Sequence, residues 1–226
     1  MNSRLIFFGG SSELSQQLLN VFVDKYELII FSRRKLDVDP RIKLFHVENY
    51  DVDNISPIIK ELPSVEENGI VFFNGISDSH PFYSLPPDDI SNIISVNVET
   101  PLKITQMFIN LMINTDVRFI YMSSTRAELG DRGVVMYSAT KAALRAAIKS
   151  LSLEYGRINK FFYMISLGLF DHGLINKVPV PKIKNIKKRS AINTFVDIDE
   201  LGNCIELVMQ NKSMTGSVVY CDNGYH

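Results

Sequence analysis

The chain has 226 residues, 46% hydrophobic and 22% charged, a globular composition that excludes disorder. Its net charge of −1 offers no whole-molecule field for nucleic acid or a membrane surface. The longest apolar runs are strand-length, far short of a membrane span, and Arg4 followed by a glycine turn leaves no signal peptide, so a cytoplasmic protein is expected.

Arg4 to Phe8 is a short apolar run, read as a buried strand. Gly9-Gly10-Ser11-Ser12 follows, then a helix with Leu14, Leu18, Leu19 and Phe22 on one face. Strand, glycine turn and helix aim free backbone N–H groups at a phosphate. Gly9, Ser11, Ser12, Glu13 and Leu14 are therefore candidate cofactor contacts. A Gly-x-x-x-Gly-x-Gly pattern starting at Gly9 would want glycine where Glu13 and Ser15 stand, and a plain β–α turn is the alternative.

Glu27 to Phe31 reads as the second strand, with Ser32, Arg33 and Arg34 after it. An acidic residue at that strand end would hold a ribose 2′-hydroxyl. Serine and arginine instead fit a 2′-phosphate, so NADP(H) is expected over NAD(H). A solvated surface pair is the other reading of the two arginines. Ile42 to Val47 forms a third strand. The segment from Asp51 to Leu62 is a helix with Val52, Ile55, Ile58, Ile59 and Leu62 inward. Ile70 to Phe73 is the fourth strand and ends at Asn74-Gly75-Ile76, where glycine permits close approach of a ligand.

A polar loop from Ser77 to Pro87 leads into a long helical region from about Asp88 to Asn114. Within it Asn97 stands among Ile93, Ile94, Val96 and Val98 and needs hydrogen-bond partners. A kink or cap would supply them, and Pro101 fits a break there. Val117 to Met122 is the fifth strand and delivers Ser123 and Ser124. Ser124 lies thirteen residues before Tyr137, which opens a helix running to Tyr155. Lys141 is one turn on and shares the face of Tyr137. A neighbouring ammonium favours phenolate, and a nearby serine hydroxyl can bond a carbonyl oxygen, so this trio suits proton transfer at an alcohol oxygen.

The same helix is rich in small residues: Ala139, Ala142, Ala143, Ala146 and Ala147. Either another element of the chain or a second copy packs there, and a homodimer or homotetramer is expected. Phe161 to Leu167 is the sixth strand, ending at Gly168. The stretch from His172 to Val196 has no Asp or Glu and carries Lys177, Lys182, Lys184, Lys187, Lys188 and Arg189. It reads as a lid over an anionic substrate or as a solvated basic loop. No aromatic platform accompanies the lysines, so nucleic acid is not an expected partner. Asp197-x-x-Glu200 opens a helix to about Gln210, and Val218 to Cys221 is the last strand. Cys204 and Cys221 fit no metal spacing, so no metal is expected. Strands alternating with helices indicate an α/β chain: one domain over residues 1–226, a Rossmann-like, doubly wound parallel sheet with helices on both faces.

Taken together these motifs resemble the short-chain dehydrogenase/reductase family over essentially the whole chain. Phe73-Asn74-Gly75 is similar to its Asn-Asn-Ala-Gly turn, Leu167-Gly168 stands where it has Pro-Gly, and Thr215-Gly216 precedes its closing strand. Asn97, Ser124, Tyr137 and Lys141 match its four active-site residues in order. The resemblance implies a dinucleotide-dependent oxidoreductase acting on a small carbonyl/alcohol substrate. It implies Tyr137 as general acid or base, with Lys141 lowering its pKa and bonding the nicotinamide ribose. Ser124 would orient the substrate oxygen, and Asn97 would help hold a water linked to Lys141. Gly9, Asn74, Gly75, Tyr137, Lys141 and Gly168 would line the cofactor. The basic lid points toward an anionic or carrier-linked substrate, of the 3-oxoacyl-carrier or phosphorylated or nucleotide-linked sugar type. The threonine that often follows Pro-Gly in the family is replaced by Asp171 or His172, and His46 or Glu48 stands near its adenine contact. With Glu13 and Ser15 in the glycine turn, a non-catalytic dinucleotide-binding regulatory or scaffold protein is the alternative.

Overall fold

The computed structural model describes residues 3–78, 80–171, 183 and 187–225. Seven strands form one parallel sheet: β1 (Ser3–Phe8), β2 (Glu27–Ser32), β3 (Lys43–His46), β4 (Glu67–Phe72), β5 (Asp116–Ser124), β6 (Lys160–Leu167) and β7 (Val218–Cys221). Their spatial order is β3-β2-β1-β4-β5-β6-β7, and every pairing is parallel. Chain direction across the sheet reverses between β1 and β4, which opens a crevice outside their carboxyl ends.

The central strands are apolar on both faces, as a sheet covered on both sides requires. Leu5, Phe7, Ile30, Val71 and Ile120 point into one core, which helices α1 (Glu13–Phe22) and α7 (Ile198–Gln210) cover through Leu18, Phe22, Leu201 and Ile205. Ile6, Phe8, Phe31, Phe72 and Phe119 point into the other, covered through Ile55, Ile104, Phe108, Leu144 and Ile148. Those residues belong to α2 (Val52–Lys60), α4 (Thr100–Leu111) and α6 (Val135–Tyr155). The expected inward face of α2 is present, with Ile55 and Ile59 buried and Val52, Ile58 and Leu62 packed at its margin. Asp197 starts α7 with a capping box, its side chain accepting from the first turn while Glu200 accepts from the Asp197 N–H.

The long helical region departs from expectation. It is α3 (Pro87–Ile94), a π-helical turn over Ser95–Glu99, then α4. The chain widens rather than breaks, and Pro101 sits in the first turn of α4, where a missing N–H is tolerated. A short helix α5 (Arg126–Leu129), not foreseen from the sequence, follows Ser124. It is clamped by Glu128, which pairs with Arg145 at 2.5 Å and accepts from the Tyr220 hydroxyl. Cys204 and Cys221 are free thiols, and Cys221 is buried. Among the described residues no helix is long and apolar enough to cross a membrane.

A row of rings crosses five strands on the second face. Phe45, Phe31, Phe8, Phe72 and Tyr121 are register partners in turn, and neighbours stack at 4.9–5.7 Å between centroids. Phe8 also meets the rings of Tyr50 and Phe108 edge-on. Phe8→Ala opens a cavity at the centre of this row and is expected to lower unfolding stability by about 3–5 kcal/mol, measured by urea denaturation.

Candidate active site

The candidate residues come together at the carboxyl edge of the sheet. The exits of β1, β4, β5 and β6 carry Gly9, Asn74 and Gly75, Ser124, and Gly168 respectively. The turn after β1 is tight: Gly9 has φ +82°, and a Cβ on it would stand 2.8 Å from the Asn74 backbone nitrogen. Ser12 caps α1, its hydroxyl accepting from Ser15 N at 3.1 Å. Ser15 is fully buried where a glycine was wanted, so the serine does allow close helix–strand packing. Ser11 and Leu14 are half-buried beside the turn, and the Glu13 side chain is exposed.

Ser32 turns back on its own chain. It is fully buried, and its hydroxyl both donates to Arg34 O at 2.7 Å and accepts from Arg34 N at 3.0 Å. Its hydroxyl thus shapes the turn that carries Arg33 and Arg34. Arg33 and Arg34 are exposed, with the Arg33 guanidinium 5.8 Å from the Tyr50 ring centre. Tyr50, missed from the sequence, accepts from Gly9 N and donates to Phe31 O, both at 3.2 Å. It thereby ties the exits of β1 and β2 together. His46 and Glu48 are both exposed near this end.

Asn97 lies in the π-helical turn and is fully buried. Its Oδ1 accepts from Ile76 N at 2.9 Å, and its Nδ2 donates to Ile76 O at 2.9 Å and to Thr140 Oγ1 at 3.0 Å. Thr140 in turn donates to Tyr137 O at 2.8 Å. The apolar surroundings in the sequence signalled that Asn97 needed partners; nothing local identified them.

Ser124, Tyr137 and Lys141 converge. The Ser124 hydroxyl acts on the Tyr137 phenol, lowering its pKa, and Lys141 Nζ lies 5.7 Å from the Tyr137 ring centre. Lys141 donates to Met122 O at 2.8 Å. Burial holds the Lys141 ammonium down to a pKa of about 8. Burial also pushes the Tyr137 phenol up, while the Arg126 guanidinium and the Ser124 hydroxyl pull it back. The Lys141 ammonium is turned to a backbone carbonyl, and Arg126 is a second cation near the phenol. Two carboxylate contacts set the helix itself: Asp78 Oδ2 and Oδ1 accept from Met136 N at 3.1 Å and Tyr137 N at 3.0 Å. Asp78 stands 58 residues before Met136, so no local pattern marked it.

Among the described residues the alanine side of α6 is uncovered, with Ala139, Ala142, Ala143 and Ala146 exposed. Gly168 serves the sheet: its N–H donates to Cys221 O at 2.9 Å, and a Cβ would strike Asp222 at 2.6 Å. Of the basic stretch, Lys177, Lys182 and Lys184 lie outside the described residues, as does His172. Lys187 and Arg189 lie over the rings of Phe195 and Tyr225. Among the described residues no group of three metal-ligating side chains occurs.

A family model for short-chain dehydrogenases, described as enoyl-(acyl carrier protein) reductase, matches residues 64–226. The chain belongs to the short-chain dehydrogenase/reductase family. It is thus a member of an oxidoreductase family that binds a nicotinamide dinucleotide. Among curated relatives is a 3-oxoacyl-(acyl-carrier-protein) reductase of Buchnera aphidicola, 22% identical over 187 residues, covering 80% of this chain and 77% of that one. An acetoacetyl-CoA reductase of Acinetobacter sp. is 23% identical over 195 residues, covering 84% and 78%. Among solved structures, 4-hydroxyisoleucine dehydrogenase complexed with NADH superposes with a TM-score of 0.85 at 19% identity over 98% of both chains, a likeness of fold.

The family's dinucleotide fits the residues present. Asn74 Oδ1 is buried at the crevice and has no hydrogen-bond partner, leaving an acceptor for a ribose hydroxyl. Gly75 lies beside Lys141 and Asn97: a Cβ on it would stand in ordinary contact, 3.5 Å from Lys141 Nζ and 3.9 Å from Asn97 Oδ1.

The native chain releases the Lys141 proton near pH 8, whereas the unfolded chain holds it to about 10.5. The unfolded state therefore binds more protons between these values, and this group's contribution to stability rises with pH across that window. Below about pH 8 the buried ammonium is destabilising, so Lys141→Met is expected to melt higher than wild type at pH 7 and to lose that advantage by pH 10, read by calorimetry. Asp78→Ala removes the cap on α6. It should cost about 0.5–2 kcal/mol of stability and lower kcat more than it raises KM, with Asp78→Asn intermediate in both.

Proposed function

We propose that this protein is an NADP(H)-dependent oxidoreductase that interconverts a carbonyl and an alcohol, running as a reductase on a small anionic or carrier-linked substrate. The observation that carries the reading is the convergence of Ser124, a buried Tyr137 and a buried Lys141 at the carboxyl edge of the sheet, beside the crevice where the strand order reverses. When bound, the cofactor supplies a hydride to the carbonyl carbon.

The residues of the chain do the rest. Ser124 and Tyr137 both hold the substrate oxygen, and Tyr137 gives its proton to that oxygen as charge develops on it. The phenol's raised pKa suits an acid that stays protonated in the resting site and gives up its proton only to a forming alkoxide. Lys141, one turn along α6, bonds the ribose from the buried side of the crevice and supplies positive charge there. Asn97 and Thr140 fix the walls around Lys141, and the second lone pair of Asn97 Oδ1 gives a water a place in the proton path. Asn74 and Gly75 line the dinucleotide together with Gly9, Ser11, Ser12, Leu14 and the Gly168 turn. The exposed Glu13 carboxylate would have to point away from the pyrophosphate.

Arg33 and Arg34 favour the 2′-phosphate of NADP(H) because both are exposed at the β2 exit. The NADH carried by 4-hydroxyisoleucine dehydrogenase makes the cofactor choice worth measuring directly. The names of the acyl-carrier and acyl-CoA reductases among the relatives support an acyl-type carbonyl. The uncovered alanine side of α6 supports a homodimer or homotetramer, and the cytoplasm is the proposed compartment.

NADPH is expected to bind more tightly than NADH, with Arg33→Ala weakening NADPH about tenfold or more in a fluorescence titration and leaving NADH nearly unchanged. Tyr137→Phe should lower kcat about 10²- to 10⁴-fold on any carbonyl substrate found. Binding of either nucleotide without turnover of a carbonyl panel would favour the regulatory reading. Ala143→Glu should shift the sedimentation coefficient toward the monomer.

A further inference from the structure

The short helix α5 places an arginine where the family motif assigns nothing. Arg126 is two residues past Ser124, and its own backbone N–H donates to Ser124 Oγ at 3.3 Å. Helix α5 packs against α6, whose first turns carry Tyr137. The clamp of Glu128 on Arg145 and Tyr220 holds α5 in that position from two other elements. Arg126 thus starts beside one of the two hydroxyls proposed to hold the substrate oxygen, on a helix packed against the element that carries the other.

Its guanidinium is only partly satisfied. The side chain is 22% exposed, and its ion-pair partner Asp131 lies 3.6 Å from Nε, beyond hydrogen-bond length. Among the described residues no hydrogen bond from the guanidinium is found. Two other arginines with limited exposure are committed: Arg4 donates to Glu27 and to Pro63 O, and Arg145 pairs with Glu128. The charge of Arg126 is felt at the reacting end of the site, since it lowers the pKa of the Tyr137 phenol. A half-buried guanidinium with open donors is the side chain best shaped to take a carboxylate through two parallel hydrogen bonds.

Resting on the oxidoreductase reading above, we infer that Arg126 binds a free carboxylate of the substrate close to its reacting carbonyl, so that the preferred substrates are short 2- or 3-oxo acids. A carrier-linked thioester has no charge at that place; its phosphates would lie well away from the Ser124–Tyr137 pair. Arg126, rather than the lysine-rich stretch after β6, is then the source of selectivity for an anion. The Asp131 contact holds the guanidinium in place between turnovers and yields to the better-oriented substrate carboxylate.

The test compares acetoacetate and 2-oxobutyrate with their neutral methyl esters, using the full chain with NADPH and NADH, for wild type, R126Q and R126K. Binding of malonate, a dicarboxylate with no ketone to reduce, is measured in parallel by calorimetry. Wild type should prefer the acids, and the acid-to-ester ratio of kcat/KM should fall about ten- to a hundredfold in R126Q, with R126K between them. Malonate should bind wild type and not R126Q. An acid-to-ester ratio that R126Q leaves unchanged, or malonate binding that is absent or indifferent to R126Q, overturns the assignment of Arg126. Malonate bound by wild type and lost in R126Q, with neither acid nor ester turned over, overturns the oxidoreductase reading and leaves the carboxylate site standing.

Discussion

The site rests on one buried amide. Asn97 holds both backbone groups of Ile76 and the hydroxyl of Thr140, and so joins the exit of β4, the π-helical turn and α6. A buried amide left unpaired is costly, so these three segments cannot part without stranding polar groups. Thr140 passes the constraint to the Tyr137 carbonyl, while Asp78 takes the N–H groups of Met136 and Tyr137 from the other side. Backbone groups at both ends of the same residue are thereby fixed, which positions its phenol without any contact to the ring itself.

Within that frame the electrostatics are strained in opposite directions. Lys141 is buried and donates to the Met122 carbonyl, and its ammonium is disfavoured. Tyr137 is buried as well, and its phenolate is disfavoured. Burial pushes each group toward its neutral form; a substrate oxygen that gathers negative charge would stabilise the cation and draw the phenol's proton. The energy of burial is thus placed where the reaction creates charge, a common reason for active sites to sit below optimal stability.

Much of this was legible in the residues because it is periodic or local. The apolar runs gave all seven strands, and strand alternation with helices gave the parallel sheet. Ser124, Tyr137 and Lys141 were found because their spacing is short and one helix turn relates the last two. What escaped notice depends on contacts far apart in sequence. Asp78 and Met136 meet only once the loop after β4 folds onto α6, and Tyr50 meets Gly9 only through the sheet. The turn that Ser32 makes was hidden for a related reason: residue type suggested a phosphate contact and gave no sign that its hydroxyl bonds the Arg34 backbone. Arg126 was passed over because it lies between motifs, in a helix too short to leave a pattern.

The row of rings from Phe45 to Tyr121 has a consequence for how the strands find their alignment. Parallel strands are joined by crossovers, so no hairpin turn dictates which residues lie side by side. A slip of one residue in β1 would carry Phe8 to the opposite face and leave a gap between Phe31 and Phe72. The rings therefore act as an index mark, one per strand, that penalises every mis-set alignment across five strands. Because the exits of β1, β4 and β5 follow within a few residues of that mark, the level of the rings also sets the level at which Gly9, Gly75 and Ser124 emerge.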